Sequence, residues 1–268
     1  MPYSSTESID WFAIQDIGEK LRHLPHALTE GLNRTQVTRD FVLGRDVRVV
    51  PTAALPAKPG LASREGQARL LHDLASIELQ AMELAVRTLN EFPEAPRDFR
   101  QELAEIAASE GEHLKLCLRA LDSLGFRWGH WDVHLGLWNT VGREDTLLDR
   151  ILIVHRYLEG SGLDAGDSIL RRLTGVGDKA VGEAVKVIVT EEVGHVLFGS
   201  VWFRRVAEAE RLDPEKEFRE RIGAICRLAP RRERLAREAR RLAGFTETEM
   251  DELERHFPPL KARGEKRP

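Results

Sequence analysis

Residues 103–117 read LAEIAASEGEHLKLC, and residues 181–195 read VGEAVKVIVTEEVGH. Both are apolar stripes at helical spacing, Leu103, Ile106 and Cys117 in one, Val181, Val185 and Ile188 in the other. Both are interrupted by the same pattern, Glu-x-x-His: Glu110 with His113, and Glu192 with His195. That spacing sets the two side chains of each pair one turn apart on a single helix face. Working outward, each pair is preceded by a lone glutamate in an apolar stripe of its own. Glu78 lies among Leu71, Leu74, Met82, Ala85 and Leu89, and Glu159 follows Leu148, Ile151, Leu152 and His155. From Glu78 to Glu110 is 32 residues and from Glu159 to Glu192 is 33, so one half maps onto the other with an offset of 81 or 82. A single Glu-x-x-His is common by chance; the repeat indicates a duplicated helical hairpin. The four predicted helices cover 63–91, 97–124, 144–173 and 178–208, stopped by Phe92-Pro93, Gly125 and Gly175-Val-Gly177, with Asp178 capping the last.

Each helix thus points ionisable groups into what its periodicity marks as core. An unpartnered buried carboxylate costs several kcal/mol, against a total stability of roughly 5–15 kcal/mol. Lysine and arginine are absent from the stripes near the glutamates. Two divalent cations would balance four carboxylates, with neutral imidazoles completing the shells. Protonation of the glutamates is the competing remedy, and the two histidines fit it less well. One glutamate from each of two helices plus Glu-x-x-His from each of the other two is the ligand set of carboxylate-bridged di-metal helical bundles. The expected metal ligands are therefore Glu78, Glu110, His113, Glu159, Glu192 and His195.

The rest of the chain sets bounds. It has 268 residues, 42% hydrophobic and 31% charged, with a net charge of −4. No global basic field argues for nucleic acid, and the longest apolar runs are far short of a membrane span. The start, Met1–Asp10, lacks the pattern of a secretory signal, and two cysteines without C-x-x-C spacing make a reducing cytoplasm the default. Residues 1–60 are expected to form an arm on the main body, 61–210 the four-helix domain, and 211–268 a helical extension and polar tail, with amphipathic stretches at 214–228 and 231–256. The connection 125–143 carries Trp128, Trp131 and Trp138. His155, one turn before Glu159, is expected beside a carboxylate or in the core. His72 and Asp73 are weaker candidates for the same outer role, and His134 for closing one end of the bundle. Glu83, Glu112 and Glu191 are expected to face solvent or a neighbour, and Cys117 to be core. The arginines at 227, 231, 232, 234, 237, 240 and 241 are interleaved with Glu233 and Glu238 and read as a solvated face, with an Arg234/Glu238 helix pair.

Four segments carry a family resemblance: Leu71–Glu83 (LHDLASIELQAME), Ser109–His113 (SEGEH), Tyr157–Ala165 (YLEGSGLDA) and Glu191–His195 (EEVGH). Through them the chain resembles the ferritin-like superfamily, and more closely the bacterial ferritin-like family known as domain of unknown function 455, from about Leu43 to Ala207. The resemblance implies an all-α fold, a ferritin-like four-helix bundle, and a di-metal site at the same six residues. It implies no reaction. Where that family often carries a further histidine, this chain has Ser76.

Carboxylate and imidazole ligands suit iron or manganese. Two redox-active ions point to an oxygen- or peroxide-dependent oxidoreductase with an unknown small-molecule substrate and an electron donor. Tyr157 falls on nearly the opposite face from Glu159, against a tyrosyl radical at the site. Gly162 and Gly199 follow Glu159 and His195 by about one turn, and either leave a substrate pocket or allow close helix packing. The alternatives are a ferritin-type metal-storage protein, an RNA-modifying hydroxylase of the tRNA type, and a bundle whose site no longer turns over. A homodimer is the expected partner arrangement of the enzyme, and a cage that of the storage protein.

Overall fold

Helix starts and stops follow local chemistry closely. In the computed structural model, which describes residues 10–229 and 233–256, α1 spans Ile17–Asn33, α2 Arg64–Glu91 and α3 Arg97–Ser123. A rod then runs through α4 (Leu147–Ile151), a π-helical stretch (Leu152–Leu158) and α5 (Glu159–Leu173). The longest helix is α6 (Lys179–Ala209), and α7 (Pro214–Leu228), α8 (Arg237–Leu242) and α9 (Glu247–His256) follow. Ser63, Asp178 and Asp213 each accept a backbone N–H at the first turn of their helices, and Thr146 with Asp149 forms a reciprocal capping box. Gly125 and Gly175 end their helices with φ of 75° and 80°, a region only glycine enters freely.

The fold is all-α. The α2–α3 hairpin packs against the second hairpin, the α4–α5 rod with α6, chiefly through α3 on α6. Between them lies a continuous apolar core that includes Leu79, Met82, Phe99, Leu103, Leu114, Ile151, Leu163, Ile188 and Phe203. No helix among the described residues is long and apolar enough to cross a membrane.

Three expectations need correction. The segment before residue 60 contains α1, a helix the sequence reading did not assign. Its Leu21, Leu24, Leu28 and Leu32 have helical spacing, but Pro25 lies in its interior, where it removes a backbone donor. The stretch 231–256 is two helices rather than one, broken at Gly244 with φ 81°. The arginine run is not one solvated face. Arg240 is fully buried and makes two bonds to Asp164, at 3.0 and 2.8 Å. Arg237 pairs with Glu247, Asp251 and Glu254, and Arg241 with Glu247. Arg234 precedes α8, so the helix pair with Glu238 does not form. Arg231, Arg232 and Tyr3 lie outside the described residues.

Buried ion pairs weld the flanking segments to the helical core. Glu83 of α2, expected at solvent or a neighbour, is fully buried and held by Lys20 of α1 at 2.7 Å and by Arg45. Burial pulls the Lys20 ammonium below its usual pKa, and Glu83 partly offsets that. Phe12 packs at a tilt against Phe41 (4.3 Å between ring centres) and approaches Trp138 (6.0 Å), and Val49 bridges to Val133. At the other end, Arg156 in the π-helical stretch bonds Glu249 of α9 through both guanidinium nitrogens, at 2.8 and 2.7 Å. The rings of Phe203, Phe218 and Phe245 surround that guanidinium, 4.4–5.1 Å away.

Candidate metal centre

Where α3 and α6 face each other, both Glu-x-x-His pairs converge. Glu110, His113, Glu192 and His195 are all buried, and one donor atom from each lies within 4.8 Å of the others. His195 Nδ1 is 2.9 Å from Glu110 Oε1, and His113 Nδ1 lies 3.4 Å from Glu110, 3.6 Å from Glu78 and 3.7 Å from Glu192. The imidazoles tilt toward each other with centres 5.4 Å apart. Among the described residues, the ion pairs of Glu78, Glu110 and Glu192 are all with these two histidines. The buried arginines of α2 are engaged elsewhere, Arg69 with Asp73 and Arg87 with Glu91, as are those of the rod, Arg150 with Glu91 and Arg156 with Glu249.

Glu78 thus joins the four-residue group through His113. Glu159 is turned to His155, whose Nδ1 lies 2.8 Å from Glu159 Oε1. Glu78, Glu159 and Glu192 line one pocket beside the cluster. His155 is buried against the edge of Phe198 and acts as a carboxylate's neighbour, as its spacing suggested. Immediately before Glu159 the helix widens to the π form, a local shift of register that is often found beside functional groups.

The donor atoms fit a cation. Both oxygens of Glu110, Oε2 of Glu159 and of Glu192, and Nδ1 of His113 and of His195 are buried without a hydrogen bond. Buried polar atoms without a hydrogen bond are costly and rare, and here they belong to three helical segments, α3, α5 and α6. Oxygen and imidazole nitrogen without thiolate is a donor set for iron or manganese. Cys117 is buried among apolar neighbours, as expected of core.

Without a cation, protons fill the gap. Burial disfavours the His113 imidazolium, but the carboxyl groups of Glu110 and Glu78 beside it outweigh that and lift His113 to about 11. His195 is likewise disfavoured by burial and raised to about 11 by Glu110 and Glu192. Burial, with the charge of Glu110 beside it, pushes Glu192 up to about 7, and burial pushes Glu78 well above the carboxylate range. Glu110 goes the other way: burial would raise it, and the two histidines beside it hold it well below its ordinary value.

The sequence reading missed one participant. Glu191 is half exposed, yet its Oε2 lies 2.9 Å from Nε2 of His113, on the side of the ring away from the carboxylates. A carboxylate there orients the imidazole and raises its basicity. The signal was its place immediately before Glu192, on a neighbouring face of the same helix. His72 and Asp73 stand apart from the cluster: His72 stacks on Trp128 at 4.8 Å, and Asp73 pairs with Lys58 and Arg69. His134 accepts at its carbonyl from Gln80 of α2 and at Nδ1 from the backbone N–H of Gly136.

The two glycines take different roles. A Cβ on Gly199 would lie 2.6 Å from the Cβ of His155, so this glycine serves close packing of α6 on the π-helical stretch. A Cβ on Gly162 would meet nothing within 4 Å, and Gly162 lines the pocket beside the carboxylates.

A chain of this build falls in a family of helical proteins whose shared activity has no assignment. It matches the family described as protein of unknown function, DUF455, over residues 15–251, and belongs to it. It is also similar to an uncharacterized protein of Haemophilus influenzae, 30% identical over 221 residues, covering 74% of this chain and 75% of the relative. No solved structure matches the chain.

Proposed function

We propose that the protein is a ferritin-like four-helix bundle that holds two metal ions, iron or manganese, and acts as an oxygen- or peroxide-dependent oxidoreductase on a small molecule. The metal-holding unit is 61–210, with 1–60 as the arm and 211–268 as the extension. One observation carries the reading: six buried donor atoms without a hydrogen bond belong to the two Glu-x-x-His pairs and to Glu159. Glu110 and Glu192, each with one neighbouring histidine, would hold the ions from the α3–α6 side, and Glu78 and Glu159 from the pocket side. The two ions, when bound, supply the redox couple that makes oxygen or peroxide chemistry accessible. The chain's own contribution is geometry and a dry surrounding. His155 holds one oxygen of Glu159 and leaves the other directed to the site, Glu191 fixes the His113 ring, and the apolar pocket wall keeps bulk water from the carboxylates.

Metal analysis of protein purified without chelator tests this directly. Two equivalents of iron or manganese per chain are expected, lost in both Glu110→Ala and Glu192→Ala with the helical content retained. Protein that keeps no metal after reconstitution with ferrous or manganous ion sinks the proposal. A ferritin-type storage role predicts a cage-sized particle in gel filtration, and the oxidoreductase reading predicts a small species. The RNA-modifying alternative draws less support than before, because Arg237, Arg240 and Arg241 already have carboxylate partners.

A further inference from the structure

The pocket beside the carboxylates is built for hydrocarbon. Of its twenty lining residues fifteen carry no polar group, among them Leu74, Ile77, Leu158, Ile169, Ile188 and Val189. The five charged residues divide by exposure. Lys58 is largely exposed and pairs with Asp73 at 2.7 Å, which marks the mouth. Glu78, Glu159 and Glu192 are buried and mark the floor. The walls run lengthwise along three helical segments, from Leu70 to Leu84 on α2, Glu159 to Ile169 on α5 and Val185 to Glu192 on α6, so the space is a slot parallel to the helices.

Gly162 supplies the second, independent observation. It sits inside α5, where glycine is a poor helix former, and no close neighbour requires the missing side chain. Gly162 is exposed and lines the slot, so its missing side chain leaves the rim of the slot open to solvent one turn from Glu159. The slot encloses about 260 Å³, room for roughly nine water-sized groups at about 30 Å³ each.

We propose that this slot binds an uncharged aliphatic chain of roughly nine non-hydrogen atoms, which reaches the carboxylate floor with its apolar body against α2, α5 and α6. Its placement as substrate rests on the metal-centre reading; its binding does not. An anionic head group is disfavoured at the floor, where the carboxyl groups of Glu78, Glu159 and Glu192 already stand together.

The test is calorimetric titration of the full chain with 1-octanol, with and without manganous ion, alongside octanoate. Saturable binding of one 1-octanol per chain is expected, with octanoate weaker. Gly162→Leu, which fills the slot, should weaken 1-octanol at least tenfold and leave manganese stoichiometry unchanged. A series from 1-butanol to 1-dodecanol on the unaltered protein reads the slot without any substitution: affinity should climb to about 1-octanol and then level. Absence of saturable binding, an unchanged affinity in folded Gly162→Leu, tighter binding of octanoate, or affinity still climbing steadily at 1-dodecanol each overturns the proposal. Loss of manganese binding with 1-octanol binding intact counts against the metal reading alone.

Discussion

Removing the carboxylate of Glu249 should unfasten the C-terminal extension from the rod that carries Glu159. Arg156 is fully buried and its guanidinium is held by two bonds to Glu249 and three aromatic faces. In Glu249→Ala the rings remain, but the cation keeps no close carboxylate; Arg204, at 3.8 Å from Glu249, adds a second positive charge nearby. Leaving one member of a buried pair uncompensated costs about 3 to 5 kcal/mol. For a chain of this size that lowers the melting temperature by about 10 °C. Replacing both partners, Arg156→Leu with Glu249→Leu, removes the stranded charge and should recover most of the loss. Burial raises the Glu249 carboxyl but Arg156 outweighs it, so its folded pKa is depressed. Its contribution is therefore present above the unfolded value of about 4.3, and is lost as pH falls through the lower folded value. Urea denaturation followed by circular dichroism at pH 7 measures all three chains. A loss below about 1 kcal/mol in Glu249→Ala, or a double variant no more stable than the single one, refutes the reasoning, since either means the charge was never stranded.

Metal loading at pH 7 should release about two protons per chain from His113 and His195, with a further contribution from the raised carboxyl of Glu78, because ligands bind deprotonated. Calorimetry in buffers of different ionisation enthalpy counts them, and release of fewer than one would contradict the cluster described above. The sign follows: affinity for manganous ion rises with pH through 7, where Glu192 also loses its proton. Gly199→Ala should lower stability by about 1 to 3 kcal/mol, since its Cβ meets His155 with no room to shift. Gly162→Ala should raise stability by about 0.5 to 1 kcal/mol, since it gains helix propensity at an open position; thermal melts that rank the two the other way would contradict both assignments.

Much of this arrangement was legible in the residues. Helices predicted at 63–91, 97–124 and 178–208 are found at Arg64–Glu91, Arg97–Ser123 and Lys179–Ala209, because their apolar stripes are long and their caps are chemically distinct. The repeated Glu-x-x-His foretold which groups of α3 and α6 would meet, since helix geometry carries side chains three apart onto one face. What could not be read depends on contacts distant in sequence. The π-helical register before Glu159 has no local signature. The burial of Glu83, expected at solvent or a neighbour, could not be read because its partners, Lys20 and Arg45, come from the arm. Arg240 looked solvated because Asp164 lies 76 residues away. Gly162 and Gly199 are alike as letters, and only the packing around each tells open space from crowding.

The position of Glu191 gives the buried cluster a polar outlet. One oxygen touches His113 while the side chain stands half in water, so a proton can pass between bulk solvent and that imidazole across a single hydrogen bond. The slot reaches the same centre from the side of Glu78 and Glu159, through hydrocarbon. Traffic is thereby segregated: protons have a wet door, oily molecules a dry one, and the cluster can rebalance its charge without flooding the space where a guest would lie.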